Sequence, residues 1–148
     1  MTKRLSECPI TESSLPFDQL LLRLAKEGKN AAGIAVLSAS ETPPRGCAGW
    51  IDWHSQGALS KSLQAGIFEG KQGECGLFIW QHRHHCLPIL LVGIGLKRAP
   101  QALEPPLEKN LGSLGSRHWV VSRSEFSAEA RHGMARALPA EGALWTSA

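Results

Sequence analysis

The chain has 148 residues, of which 43% are hydrophobic and 20% charged, and it carries a formal net charge of +3. These values are typical of one soluble globular domain that folds without a disulfide or a structural metal. The longest apolar run, residues 87–96, is too short to span a bilayer, and no apolar segment of signal-peptide length begins the chain, so we expect a cytoplasmic protein without a membrane partner.

The amino-terminal residues 1–12 are polar and unpatterned, which predicts a loose arm before a single domain of residues 13–148. A first helix is expected next, because Ser13 or Ser14 can cap it and Gly28 can close it in a left-handed conformation. Apolar residues then recur at helical spacing and define one stripe. This stripe consists of Phe17, Leu20, Leu21 and Leu24.

A short apolar run of small and branched residues, 31–37, predicts a buried strand, and Pro43-Pro44 marks the loop that follows. A second helix is expected over residues 47–64. Gly57 lies inside it and would weaken it by about 1 kcal/mol relative to Ala. We therefore expect another element to pack closely against Gly57.

Two apolar segments, residues 75–81 and 87–94, are separated by five residues and predict an antiparallel hairpin. Both segments are apolar nearly throughout. This pattern is typical of strands that are covered on both faces. We therefore expect both strands to lie inside a sheet that helices cover.

The carboxy-terminal part predicts a short helix beginning at Pro106, a strand over residues 118–122, a helix capped by Ser124 or Ser127, and an edge strand over residues 143–146. Helices and strands thus alternate, with one hairpin. This order predicts an α/β fold, a three-layer sandwich with a mixed central sheet. The inner face of the last helix is expected to hold Ala130, Met134, Ala137 and Leu138.

One segment, Gly66-Ile67-Phe68-Glu69-Gly70-Lys71-Gln72-Gly73-Glu74, is followed about twenty residues later by Leu90-Leu91-Val92-Gly93-Ile94-Gly95. Together they resemble the signature of the amino-terminal domain of the leucyl aminopeptidase family. In that family a helix ends in a Gly-x-Phe-x-Gly-Lys-x-Gly-Glu turn, and a strand pair then runs into a Val-Gly-x-Gly loop. The resemblance is strongest over residues 48–97 and implies a macro-domain-like fold.

The residues that perform hydrolysis in that family are missing from this sequence. The family holds its two metal ions in a second, carboxy-terminal domain, and the Asn-Thr-Asp-Ala-Glu-Gly-Arg arrangement of that domain does not occur here. Asp18 and Asp52 are the only two aspartates, whereas a two-metal hydrolase normally needs several carboxylates. There is also no Gly-x-Ser-x-Gly and no His-Glu-x-x-His. We therefore expect no aminopeptidase activity, no catalytic residues and no cofactor.

The resemblance implies a function in assembly. In the family, this domain helps to organise a hexamer and shapes access to the active site. A stand-alone, non-catalytic module that binds a protein partner or forms a homo-oligomer is therefore the first hypothesis. Trp50 and Trp53 lie three residues apart on the predicted second helix and are candidates for partner binding. The alternative is that both are half-buried packing residues.

A second hypothesis is a small-molecule or nucleotide sensor. Gly93 and Gly95 follow a predicted strand and could present backbone N–H groups to an anion, with Lys97 and Arg98 beside them. The dinucleotide fingerprint needs a third glycine that opens a helix, and this sequence lacks it. Glycines at strand ends also serve simply to turn the chain.

The segment between the two hairpin strands holds a candidate metal site. On an extended backbone His82, His84 and Cys86 project to one side, and imidazole and thiolate are good ligands for zinc, nickel or copper. The alternative is a solvated polar tip, since no paired ligand set occurs elsewhere in the sequence.

DNA binding is the weakest of the hypotheses. Some aminopeptidases of the family bind DNA, and this chain has a pI near 8.8. However, its basic residues are dispersed, with no run longer than two. Nucleic-acid binding usually needs a clustered basic stripe, so we do not expect a nucleic-acid partner.

Overall fold

The structure, a computed structural model, describes residues 8–38, 46–71, 74–95, 117–138 and 141–148. No helix within these ranges has the length and apolar character needed to cross a membrane. The strands are β1 Ile10–Glu12, β2 Ala31–Ser38, β3 Cys75–His82, β4 His85–Gly95, β5 His118–Ser122 and β6 Ala143–Ser147. The helices are α1 Phe17–Lys26, α2 Gly46–His54, α3 Ala58–Gln64 and α4 Ala128–Ala137.

The six strands form one mixed sheet in the order β1-β6-β5-β2-β4-β3. Every neighbouring pair is parallel except β3 and β4, which are antiparallel. The hairpin therefore adds β3 as an edge strand to a sheet that is otherwise parallel.

Helices cover both faces of the sheet. Alternate residues of a strand project to opposite faces of the sheet. In β2, Ala35 packs with Phe17 of α1 and Leu59 of α3. The preceding residue, Ile34, lies on the other face and packs with Met134 of α4. We call these two faces the α1 face and the α4 face. The arrangement confirms the predicted three-layer α/β sandwich with a mixed sheet.

Helix α1 has the predicted apolar stripe, and all four of its residues are buried. Its N-cap differs from the prediction: the cap residue is Pro16, which makes no side-chain hydrogen bond, and the Ser13 hydroxyl instead accepts from the N–H group of Leu15. Helix α4 is capped as predicted, because the Ser127 hydroxyl accepts from the N–H group of Ala130 at 3.1 Å.

The predicted second helix is divided into α2 and α3. Gln56 and Gly57 both have positive φ angles, 59° and 82°, which no continuous α-helix permits. The Asp52 carboxylate holds the break together by accepting from the N–H and hydroxyl groups of Ser60 at 2.8 and 2.6 Å. A Cβ atom on Gly57 would meet nothing within 4 Å, so the prediction of close packing there was wrong and the glycine serves the backbone conformation.

The first and the last described strands are neighbours in the sheet. Residues 10–12 were predicted to belong to a loose arm, but they form β1, with Ile10 opposite Leu144 of β6. A three-residue strand is too short to show a hydrophobic period. Strand β6 consequently lies between β1 and β5 and is not the predicted edge strand. The predicted helix beginning at Pro106 lies outside the described residues.

The hairpin is tighter than predicted, because its turn consists only of Arg83 and His84. Strand β4 is buried over residues 89–94, as expected for an interior strand. Strand β3 contradicts the prediction that both of its faces are covered, since Leu77 is 53% and Ile79 is 50% exposed. Both side chains project to the α4 face, where no described helix buries them.

Candidate functional site

In the part of the chain that the structure describes, strand β3 presents an open sheet edge. Within the described ranges it pairs with β4 alone. Backbone N–H and C=O groups of alternate residues therefore point away from the sheet. Edge strands are normally protected from pairing with other chains by charged residues, by proline or by short length. The eight residues of β3 include no Lys, Arg, Asp, Glu or Pro, so this edge lacks that protection.

The α4 face of β3 is apolar and partly open. Leu77 lies opposite Leu90 of β4, and Ile79 lies opposite Pro88. Directly opposed residues in an antiparallel pair project to the same face. Leu90 is buried beneath its neighbours, whereas the two β3 side chains are half exposed. These two side chains form an apolar strip along the sheet edge.

On the α1 face, a row of aromatic and imidazole rings connects α2 with β3. Trp50 stacks on His54 with 3.7 Å between ring centroids, His54 lies 6.0 Å from Trp80, and Trp80 lies 5.7 Å from His82. Trp80 is buried and anchors the row, while Trp50 is 39% exposed at its outer end. Trp53 takes no part in it and is 80% exposed, so it is not the half-buried packing residue of the alternative interpretation.

The large apolar side chains exposed within the described residues all belong to β3 or to segments that contact it. The ring of His54 on α2 approaches Trp80 of β3, and Phe68, next to Ile67, packs directly on Gly76 of β3. We call this set the β3 surface. It consists of Trp50, Trp53, Ile67, Leu77 and Ile79.

The glycine-rich segment that ends at Glu74 has a structural role here. The Glu74 carboxylate accepts from the N–H groups of Glu69 and Lys71 at 3.2 and 3.0 Å, which closes the loop around Gly70, whose φ is 79°. The Glu74 carbonyl accepts from the Gly93 N–H at 2.7 Å. A Cβ atom on Gly93 would collide with the Lys71 carbonyl oxygen, so glycine is required for the loop to lie against β4.

This role changes the interpretation of the predicted ligand site. Gly93 and Gly95 lie inside β4 and not in a loop. The Gly93 N–H group is directed at the Glu74 carbonyl and not at an anion, and ligand binding by Gly93 and Gly95 stays a prediction. The sequence shows where a glycine lies but not which backbone approaches it. Lys97 and Arg98 lie outside the described residues.

The predicted metal ligands at the hairpin tip are not brought together. His82 opposes His85, and Cys86 opposes Gln81, so Cys86 projects to the α4 face and His82 to the α1 face. The prediction assumed an extended backbone, which the two-residue turn at Arg83 and His84 interrupts. No group of three His, Cys, Asp or Glu side chains within the described part of the chain is placed to hold a metal ion.

A shallow groove of about 360 Å³ lies between the amino-terminal end of β2 and the hairpin tip. Lys29 and Asn30 line one wall, and His84, His85 and Cys86 line the other. The groove is open and its walls are mostly polar, which is typical of a solvated surface depression and not of a small-molecule pocket.

Glu125 connects three parts of the molecule at the carboxyl edge of the sheet. Its carboxylate accepts from the Cys47 N–H at the start of α2 at 2.8 Å and from the Val36 N–H of β2 at 3.3 Å. Burial raises the pKa of the Cys47 thiol, and the adjacent Glu125 raises it further. Nearby, the Asp18 Oδ1 atom is buried without a hydrogen-bond partner in the described part of the chain. The thiol is therefore held protonated beside two carboxyl groups.

Sequence reasoning did not single out Glu125, Leu77 or Ile79. Glu125 accepts hydrogen bonds from residues that lie 78 and 89 positions away in the sequence, a separation that no local motif encodes. Leu77 and Ile79 have the composition of core residues, and only the strand order shows that they lie at an edge. For β3 a sequence signal exists: its apolar run is interrupted by Gly76 and ends in Gln81 and His82, whereas the apolar run of β4 is longer and nearly continuous.

Comparison with known proteins supports the fold and nothing finer. No family model matches the sequence, and no curated protein matches it. Among solved structures, the chain is similar to a mutant of tomato leucine aminopeptidase, with a TM-score of 0.57 and 14% sequence identity. The similarity covers 100% of this chain and 34% of that chain, so this chain spans about a third of the aminopeptidase. At this identity, the similarity shows a common fold alone.

Proposed function

We propose that these 148 residues act as a non-catalytic module that binds a protein partner or assembles with itself through the β3 surface. The observation that carries this proposal is the edge of β3, which pairs with β4 alone among the described strands, has no charged residue and leaves Leu77 and Ile79 about half exposed. An exposed apolar edge strand of this length is a site for pairing with another polypeptide.

Strand addition at this edge would be favourable for two reasons. The outward N–H and C=O groups of β3 would exchange water for backbone partners, which gives the interaction its direction and register. Leu77 and Ile79, each about half exposed, would lose contact with water. Burial of the remaining half of such a side chain contributes about 1 kcal/mol.

The non-catalytic part of the proposal is supported by the structural roles of three carboxylates. Glu74 closes the loop around Gly70, and Asp52 holds the start of α3 through Ser60. Glu125 joins α2 to β2. Each of these carboxylates accepts hydrogen bonds from backbone N–H groups, so each has a structural role that would compete with metal binding or proton transfer.

A charge introduced on β3 tests the proposal. The variant Leu77→Lys/Ile79→Lys places two ammonium groups on the edge, where they oppose strand addition. The matched control, Gln19→Lys/His132→Lys, adds lysines at exposed positions of α1 and α4. Light scattering and affinity capture are then compared among wild type, variant and control.

We expect wild type and control to self-associate or to retain the same partner, and the β3 variant to lose that association. If the wild type is monomeric and captures no partner, or if the β3 variant behaves like the control, the module hypothesis is wrong. Circular dichroism of all three proteins checks that the variants are folded.

A further inference from the structure

We infer that the polypeptide seated on the β3 edge is a second copy of this chain, paired antiparallel about a two-fold axis that lies between Phe78 of one copy and Phe78 of the other. This inference rests on the proposed function and names its partner. The pair of copies would form one continuous sheet across the two β3 strands, with the two-fold axis perpendicular to that sheet.

Symmetry restricts the register of such a pair. A two-fold axis perpendicular to the sheet leaves every side chain on its own face, and opposed residues share a face. An odd-numbered residue of β3 must therefore oppose an odd-numbered residue of the second copy, and an even-numbered residue an even-numbered one. One residue of β3 must then oppose its own copy, and the axis lies midway between these two copies.

The apolar strip selects one of these registers. With the axis at Phe78, Leu77 of each copy opposes Ile79 of the other, and both half-exposed side chains gain an apolar partner. Moving the axis to Ile79 would place Leu77 opposite Gln81. Moving it to Leu77 would place Ile79 opposite Cys75. The register centred on Phe78 is the one that pairs the whole strip with itself.

The charges at the two ends of β3 favour the same arrangement. The amino-terminal end is flanked by Glu69, Lys71 and Glu74, which together carry one net negative charge, and the carboxy-terminal end is followed by Arg83. Antiparallel pairing places each negative end beside the positive end of the other copy, and in the register centred on Phe78, Glu74 opposes His82. The negative end and the positive end both belong to β3 itself, so a second copy of β3 complements this edge better than an unrelated strand does.

Single substitutions of opposite charge test the partner and the register together. Alone, Leu77→Lys and Ile79→Glu each place a charge against an apolar side chain and should weaken self-association on the order of a hundredfold. In a mixture of the two variants, the Leu77→Lys side chain of one copy lies opposite the Ile79→Glu side chain of the other, and one Leu77–Ile79 pair stays intact, so a heterodimer should form. Sedimentation velocity of each variant and of the mixture measures this.

The matched control mixture combines Leu77→Lys with Leu77→Glu. These two charges are not opposed in the proposed register, so this mixture should stay as weakly associated as its components. Association of the control mixture in preference to the Leu77→Lys and Ile79→Glu mixture would overturn the register. Hydrogen exchange adds a readout on wild type alone: β3 amides should become more protected as protein concentration rises, and protection that does not change would overturn self-pairing.

Failure of this inference can be told apart from failure of the proposed function. A wild type that is monomeric at every concentration overturns the second copy as partner. If that monomer retains a protein that Leu77→Lys/Ile79→Lys loses and Gln19→Lys/His132→Lys keeps, the module survives with a different partner. If nothing is retained, both proposals fall.

Discussion

The indole N–H of Trp145 donates a hydrogen bond to Nδ1 of His118 across 3.3 Å and so links the side chains of β6 and β5 on the α1 face. An imidazole can accept at Nδ1 only when that nitrogen carries no proton. Burial lowers the pKa of His118 below its ordinary value of 6.5, and the positive charge of Lys29 lowers it further. The fold therefore favours the neutral imidazole that this contact requires.

We expect this pair to make the protein less stable in mild acid. The unfolded chain takes up the His118 proton near the ordinary pKa, and the folded chain takes it up only at lower pH. The contribution of the neutral imidazole is therefore complete above the ordinary pKa and is lost as the pH falls toward the lowered folded value. Urea unfolding between about pH 8 and about pH 5 measures the slope of the free energy of unfolding against pH. The His118→Gln variant should show a smaller slope, and equal slopes would contradict the prediction.

Gly93→Ala should destabilise the protein more than Gly57→Ala does. The methyl group on residue 93 would collide with the Lys71 carbonyl, and backbone on both sides would have to move, so we expect a loss of about 3 kcal/mol. A methyl group on residue 57 meets open space, so only its φ of 82° is unfavourable, and a loss of about 1 kcal/mol is expected. Chemical denaturation of both variants measures the difference, and equal losses would contradict the packing role of Gly93.

Much of the fold could be predicted from the sequence because its elements are strongly patterned. The stripe of α1 and the alternation of helices with strands both reflect burial, which hydrophobic spacing records directly. The division of α2 from α3 could not be predicted, because it depends on positive φ angles at Gln56 and Gly57. Strand β1 could not be predicted because its pairing is provided by β6, at the other end of the chain.

The candidate surface was less predictable than the fold. The hairpin pattern predicts that β3 and β4 pair, but it does not indicate which of the two strands has a second neighbour. That is decided by the parallel pairing of β2 with β4, for example Val36 with Val92, between residues far apart in sequence. The exposure of Leu77 and Ile79 follows from this long-range pairing, which their apolar composition does not record.

Glu125→Ala should destabilise the fold by about 2 kcal/mol, because it leaves the Cys47 and Val36 N–H groups without their acceptor. Glu125→Gln keeps a side-chain oxygen and should lose less. Glu141→Ala is the control, since it removes only an exposed ion pair with Arg117, which is worth between about 0 and about 1 kcal/mol. Thermal and chemical unfolding of the three variants rank them, and a loss at Glu125 no larger than at Glu141 would contradict the proposed connection.

The four cysteines should differ sharply in reactivity toward an alkylating reagent. The thiolate is the reactive form, and burial raises the pKa of Cys47, Cys8 and Cys75. For Cys47, the adjacent carboxylate of Glu125 raises it further. Cys86 is exposed on the hairpin.

Peptide mass spectrometry after timed treatment with iodoacetamide should find Cys86 modified first and Cys47 modified only at the rate of unfolding. Denaturant should make all four react, and Cys86→Ser should remove the fast phase. Rapid modification of Cys47 in the folded protein would show that its burial against Glu125 is wrong.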